Sequence, residues 1–161
     1  MKNRKLSVPL FIGISITLTF ATTASAQRQR SGESAGFAFR FLGPRAGNRV
    51  SAVVGVPGDT STYYAGAASG GIWKSTDGGN DWLPIFDSQS VAAIGALAVS
   101  PSEPNIVWAG TGEAWAIRDI DVGGDGIYKS VDAGKTWENM GLPETGRIGR
   151  VIVDPKDTNK V

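Results

Sequence analysis

From residue 50 onward the apolar residues fall in short clusters, each bounded by Gly, Pro, Asn, Asp or Ser. Tyr63-Tyr64-Ala65-Gly66, Ile94-Gly95-Ala96-Leu97-Ala98-Val99 and Val107-Trp108-Ala109-Gly110 are typical, rich in β-branched, aromatic and small residues. Such runs predict short strands, and no window beyond the N-terminus has the 3.6-residue period of a helix. In the better-defined half of the chain the strands are expected at 93–99, 106–110, 126–130 and 136–139.

The clusters repeat. Gly71-Ile72-Trp73-Lys74-Ser75-Thr76-Asp77-Gly78-Gly79-Asn80-Asp81-Trp82 returns as Gly126-Ile127-Tyr128-Lys129-Ser130-Val131-Asp132-Ala133-Gly134-Lys135-Thr136-Trp137, an offset of 55 from Ser75 to Ser130. Ile94 to Pro101 returns as Ile148 to Pro155, offset 54, and an earlier copy runs from Ser51 to Pro57, offset 44. A period of roughly 40 to 50 residues with four strands per unit is that of a β-propeller blade. The expected fold is therefore all-β, a β-propeller with repeats beginning at about 50 and 94 and a third begun at about 148. Propellers close with about four to eight blades, so the 161 residues are expected to be an N-terminal fragment of about two blades, spanning 37–161.

Ser75-Thr76-Asp77-Gly78-Gly79-Asn80-Asp81-Trp82 and Ser130-Val131-Asp132-Ala133-Gly134-Lys135-Thr136-Trp137 both resemble the Asp-box, Ser-x-Asp-x-Gly-x-Thr-Trp, the first with Asp81 where Thr is usual. Together with Ser69-Gly70-Gly71 they resemble bacterial secreted proteins with a sortilin-like N-terminal domain and BNR (Asp-box) repeats. More distantly they are similar to xyloglucanase-type glycoside hydrolases. Physically the box reads as scaffold. The carboxylates of Asp77 and Asp132 accept backbone N–H groups across a tight turn, Gly79 and Gly134 permit positive φ, and Trp82 and Trp137 offer plates for packing between blades. The xyloglucanase resemblance implies a catalytic aspartate entering the third strand of an early blade, but the aligned residue is Ala68, which cannot exchange a proton. Phe39-Arg40-Phe41-Leu42 resembles the sialidase Phe-Arg-Ile-Pro, with no Tyr nucleophile assignable.

The offset jump from 44 to 55 exposes an insertion of 11 residues within 111–125, between the second and third strands of the second repeat. In an antiparallel meander the turns alternate between the two ends, so this loop leaves from the end opposite the boxes. It holds Glu113, Trp115, Arg118, Asp119, Asp121 and Asp125. Trp115 is suited to stack on a sugar or partner side chain and Arg118 to hold a carboxylate, while Glu113 with Asp119 or Asp121 makes an acid–base pair for glycoside hydrolysis. The plain alternative is Trp115 packed on a neighbouring blade with the charges solvated or self-paired. Asp119, Asp121 and Asp125 bring calcium into view, but a helix–loop–helix calcium loop would place its last ligand on Ser130, and no metal site or cofactor is assigned.

Charge and composition narrow the functions. Lys2, Arg4 and Lys5, the apolar run 6–21 and Ala24-Ser25-Ala26 make a secretory signal, 1–26, cut before Gln27, ahead of a polar lead-in, 27–36. Without it 13 basic residues face 15 acidic ones, which leaves no basic field for nucleic acid or a membrane surface. The absence of His and Cys removes Ser-His and Cys-His triads and a disulfide framework. The expected function is thus an exported (secreted or periplasmic) module that binds an extracellular peptide, protein or glycan through the insertion face. A glycoside hydrolase with its carboxylates largely in other blades, and a structural cell-surface assembly module, are the alternatives.

Overall fold

The computed structural model describes residues 40–46, 49–114 and 123–161, all within one compact unit, Phe39–Val161. The signal 1–26, the lead-in 27–36 and, in the insertion, Trp115, Arg118, Asp119 and Asp121 lie outside the described residues. No helix among the described residues is long and apolar enough to cross a membrane.

Among the described residues, eight strands form two four-stranded antiparallel meanders. The first comprises β1 (Val50–Gly55), β2 (Tyr63–Ala67), β3 (Ile72–Ser75) and β4 (Leu83–Pro84). The second comprises β5 (Ile94–Val99), β6 (Val107–Thr111), β7 (Ile127–Ser130) and β8 (Glu138–Asn139). The registers are copies of one another: Val53 faces Ala65 and Ala65 faces Trp73 in the first, as Leu97 faces Ala109 and Ala109 faces Tyr128 in the second. Even the irregularity repeats, since β1 bulges between Val50 and Ala52 and β5 between Ile94 and Ala96. These are two blades of a β-propeller.

The blades stack face to face because each inner row is apolar. Tyr64, Ile72, Phe86, Ile94, Val99, Val107, Ala109 and Tyr128 form the buried cluster between them. Gly66 makes the closest approach possible: a methyl added there would strike the Ile94 side chain. The same socket recurs one blade on, where a methyl on Gly110 would strike Ile148. Ile148 thus sits on the second blade as Ile94 sits on the first, and Val151 and Val153 complete a second cluster with Ala98, Ile106, Trp108 and Ile127. The run 148–155, where a third repeat was expected to begin, carries no ladder; it is held by the Ile148 N–H on Thr111 O, the Asp154 N–H on Lys160 O and an isolated bridge between Asp154 and Asp157. No second strand within the described residues stands beside it, so its backbone lacks the partner that β1 finds in β2.

Candidate functional site

The two Ser–Asp turns mark one end of each blade. Ser130 Oγ donates to Asp132 Oδ1 at 2.8 Å and accepts from the Gly134 N–H at 2.8 Å. Asp132 also accepts from the Thr136 N–H at 2.8 Å and the Thr136 hydroxyl at 2.6 Å. The hydroxyl of Thr136 is the largest cause holding the Asp132 carboxyl down at about 2. In the first turn Ser75 Oγ donates to Asp77 at 2.8 Å and accepts from the Gly79 N–H at 2.9 Å. Asp77 then accepts from the N–H groups of Asn80 and Asp81, the latter being the main reason its carboxyl is lowered. Every one of these bonds closes the turn on itself, which is a scaffold's use of a carboxylate. Trp137 crosses to the first blade, donating from Nε1 to Ile85 O at 2.8 Å, while Trp82 donates to Gly79 O and to Leu42 O. Arg40, in the segment resembling a sialidase motif, donates to Asn80 Oδ1 at 2.6 Å.

The opposite end is built differently. There the inserted loop leaves β6 and re-enters at β7, and one side chain closes its base. Thr111, fully buried, accepts at Oγ1 from the N–H groups of Asp125 (2.9 Å) and Gly126 (3.0 Å) and donates to Gly126 O (2.6 Å). Gly112, at φ 78°, bends the chain out and donates its N–H to Ala93 O at 2.8 Å. On the far side the Gly124 N–H reaches Gly146 O and the Ile148 N–H reaches Thr111 O. The base of the insertion is therefore tied to both neighbouring segments.

Glu113 was expected on the ligand face as an acid–base partner or, in the plain reading, as a solvated or self-paired charge. It lies instead at the base with 0% exposure, and Arg49 donates to both of its oxygens, from Nε to Oε1 and from Nη2 to Oε2. A carboxylate taken out of water needs such a partner, which is why it turns inward to the guanidinium rather than outward. The pairing of Glu113 with Asp119 or Asp121 as acid and base extends beyond the described residues. Asp125, weighed as a calcium ligand, accepts from the Ser90 hydroxyl at 2.7 Å and the Tyr128 hydroxyl at 2.9 Å. With both donors on one oxygen, Asp125 serves as a link between the blade connection and β7. Among the described residues no three His, Cys, Asp or Glu side chains converge as a metal site.

Ala68, the position aligned with a hydrolase aspartate, is buried and donates its N–H to Arg49 O at 3.0 Å. Arg49 and Thr111 are the members of this end that the motif search passed over. Arg49 carried one signal: Arg147 stands at the same place in the third repeat, immediately before Ile148 as Arg49 stands before Val50.

Comparison with known proteins comes to the same architecture. No family model matches the chain. The chain is similar to a probable oligoxyloglucan-reducing end-specific xyloglucanase of Neosartorya fischeri, 24% identical over 151 residues, covering 86% of this chain and 18% of that protein. It is also similar to a xyloglucanase of a Paenibacillus species, 27% identical over 124 residues, covering 69% of this chain and 12% of that protein. Among solved structures, an ancestral GH74 enzyme superposes with a TM-score of 0.58 at 21% identity, covering 74% of this chain and 16% of that one. The Niastella koreensis GH74 enzyme gives a TM-score of 0.47 at 24% identity, covering 60% of this chain and 14% of that one. The chain thus spans less than a fifth of the length of these relatives.

Proposed function

We propose that this chain is part of an exported propeller that binds a glycan at the blade end carrying the inserted loop. The supporting observation is the closed base of the insertion: Thr111, Gly112, Glu113 and Gly124, on its two described sides, are all tied to neighbouring segments. Rigid scaffolds that present a loop are the usual setting for binding. A glycan is chosen over a peptide or protein because both matched relatives are xyloglucanases by name. Trp115 is the stacking residue and Arg118, Asp119 and Asp121 are the polar contacts in this reading. The Asp-box and sortilin-like identification of the repeats, and export through the signal 1–26, belong to the same proposal. Isothermal titration of the whole protein with xyloglucan oligosaccharides tests it. Trp115→Ala is expected to weaken binding roughly 2- to 10-fold, the worth of one aromatic contact. Unchanged affinity removes the stacking role, and no binding by the unaltered protein removes the glycan.

A glycoside hydrolase is the second reading, favoured by the same two relatives. Glu113 is occupied by Arg49 and Ala68 has no acid, so neither of these two positions offers a free carboxylate for the chemistry. Hydrolysis would therefore depend on Asp119, Asp121 or other blades. Release of reducing ends that survives Asp119→Ala and Asp121→Ala would place it in other blades.

A further inference from the structure

Ile85 ties the two blades together through its own backbone. Its N–H donates to Ile72 O at 2.8 Å, joining it to β3 of its own blade, and its carbonyl accepts from Trp137 Nε1 of the next blade at 2.8 Å. Met140, which follows β8 as Ile85 follows β4, repeats the first of these bonds, from its N–H to Ile127 O at 2.8 Å. Leu42 repeats the second, its carbonyl accepting from Trp82 Nε1 at 2.9 Å. It stands eight residues ahead of Val50, as Met140 stands eight ahead of Ile148 and Ile85 nine ahead of Ile94. Leu42 therefore occupies, relative to the first blade, the place that Ile85 occupies relative to the second. Arg40-Phe41 then lies where a fourth strand would run, and Arg40 holds it against the first Ser–Asp turn by its 2.6 Å bond to Asn80 Oδ1.

Leu42 makes only half of the bonds that Ile85 makes. Among the described residues no acceptor takes its N–H. The first Ser–Asp turn is unmatched on the same side. In the second turn Ala133 O accepts from Lys74 Nζ and from the Tyr64 hydroxyl of the first blade. Its counterpart Gly78 shares the positive φ, 76° against 60°, but the Gly78 carbonyl has no donor among the described residues. The apolar rows agree. Ile94 and Leu97 pack into the core shared by the blades, whereas their counterparts Val50 and Val53 are 43% and 65% exposed.

We propose that residues 40–42 are the fourth strand of a further blade in the same propeller, one that supplies only three strands of its own. The chemistry of this partner is read from the joint between the two described blades. Its third strand offers a carbonyl to the Leu42 N–H, as Ile72 does to Ile85, and its lysine reaches Gly78 O, as Lys74 reaches Ala133 O. Neither β3 nor β7 serves, in this copy or a second, because β4 and β8 already cover that edge of each. A segment with an unpaired backbone edge is a template for such strand addition, and the ladder bonds fix its register.

Two measurements on the whole protein test this. In the unaltered protein, the Leu42 amide is expected to exchange with solvent within about tenfold of the rates of Ile85 and Met140. Exchange at the open-chain rate overturns the inference. For the identity of the partner, Phe41→p-benzoylphenylalanine places a photo-reactive group at a position that is 69% exposed. The purified protein is irradiated and the joined peptides are sequenced by mass spectrometry. The expected product is a link within one polypeptide to an Ile-aromatic-Lys-Ser strand other than β3 and β7, in a yield independent of protein concentration. A link to any other sequence, a yield that rises with concentration, or no link at all overturns the inference.

Discussion

Asp132 and Asp77 occupy the same position in two copies of one turn, and a single neighbouring residue sets them apart. Asp132 receives a hydroxyl from Thr136, whereas Asp81 stands at that place beside Asp77. Both carboxyls are lowered from 3.8, and that of Asp132 reaches about 2. A carboxyl lowered in the folded state adds stability above its unfolded value, and that contribution is lost as pH falls from about 3.8 through about 2. Thr136→Val removes the hydroxyl but keeps the Thr136 backbone N–H bond. It is expected to raise the Asp132 carboxyl toward the ordinary range and to move the acid limb of unfolding to higher pH. After discounting for solvent screening, the loss at neutral pH is about 0.5–1 kcal/mol. NMR titration of the Asp132 carboxyl carbon checks the first, and urea unfolding at pH 3 and pH 7 checks the second. An unmoved titration would mean that the backbone N–H bonds alone set the carboxyl.

At the scale of elements, the strands were readable because their apolar residues cluster and repeat; the joints between them were not. Both meanders, their order and the end from which the long loop leaves follow from cluster spacing and the offset jump. Glu113 shows where that reading stops. A glutamate in a polar loop looks solvated from its neighbours, and its burial depends on Arg49, a residue of the other blade. The recurrence of Arg49 as Arg147 marks the arginine, but nothing in the repeat pairs it with a glutamate of the next blade. The clamp at Thr111 is similarly silent, because a threonine ending a strand is common and only the returning backbone gives it work. Thr111→Val keeps the shape and removes the acceptor from two buried-base N–H groups, those of Asp125 and Gly126. The cost is expected at about 1–3 kcal/mol, the range for stranded buried donors. Faster amide exchange at Asp125 and Gly126 than at Tyr128 would locate the loosening at the loop base. Equal exchange at all three would assign the closure to the Thr111 N–H bond with Gly126 O instead.

The described residues form two copies of one unit, with the run 148–155 packed on the second, and the two copies are not joined evenly along their shared apolar face. Phe86 lies in the connection from the first blade to the second and is 1% exposed. Its ring meets Tyr128 edge-on at 5.1 Å and Trp137 edge-on at 5.2 Å, both in the second blade. The second Ser–Asp turn docks beside them: Ala133 O accepts from Lys74 Nζ at 2.9 Å and from the Tyr64 hydroxyl at 3.2 Å, and a methyl on Gly134 would strike Ile85. The second turn is thus a fastener between the blades, beside the aromatic centre at Phe86. Phe86→Ala removes ring contacts on two neighbours in a site whose walls belong to different sheets, and it is expected to destabilise by about 3–5 kcal/mol. Leu83→Ala, on the outer strand of the same blade and 70% exposed, is expected to change stability by less than about 0.5 kcal/mol. Chemical unfolding monitored by tryptophan fluorescence compares the two directly. Similar losses in both would show that the blades are held by their ladders alone. A loss confined to Phe86→Ala, accompanied by faster amide exchange in β7 and around Trp137, would show that the stacking face carries the joint.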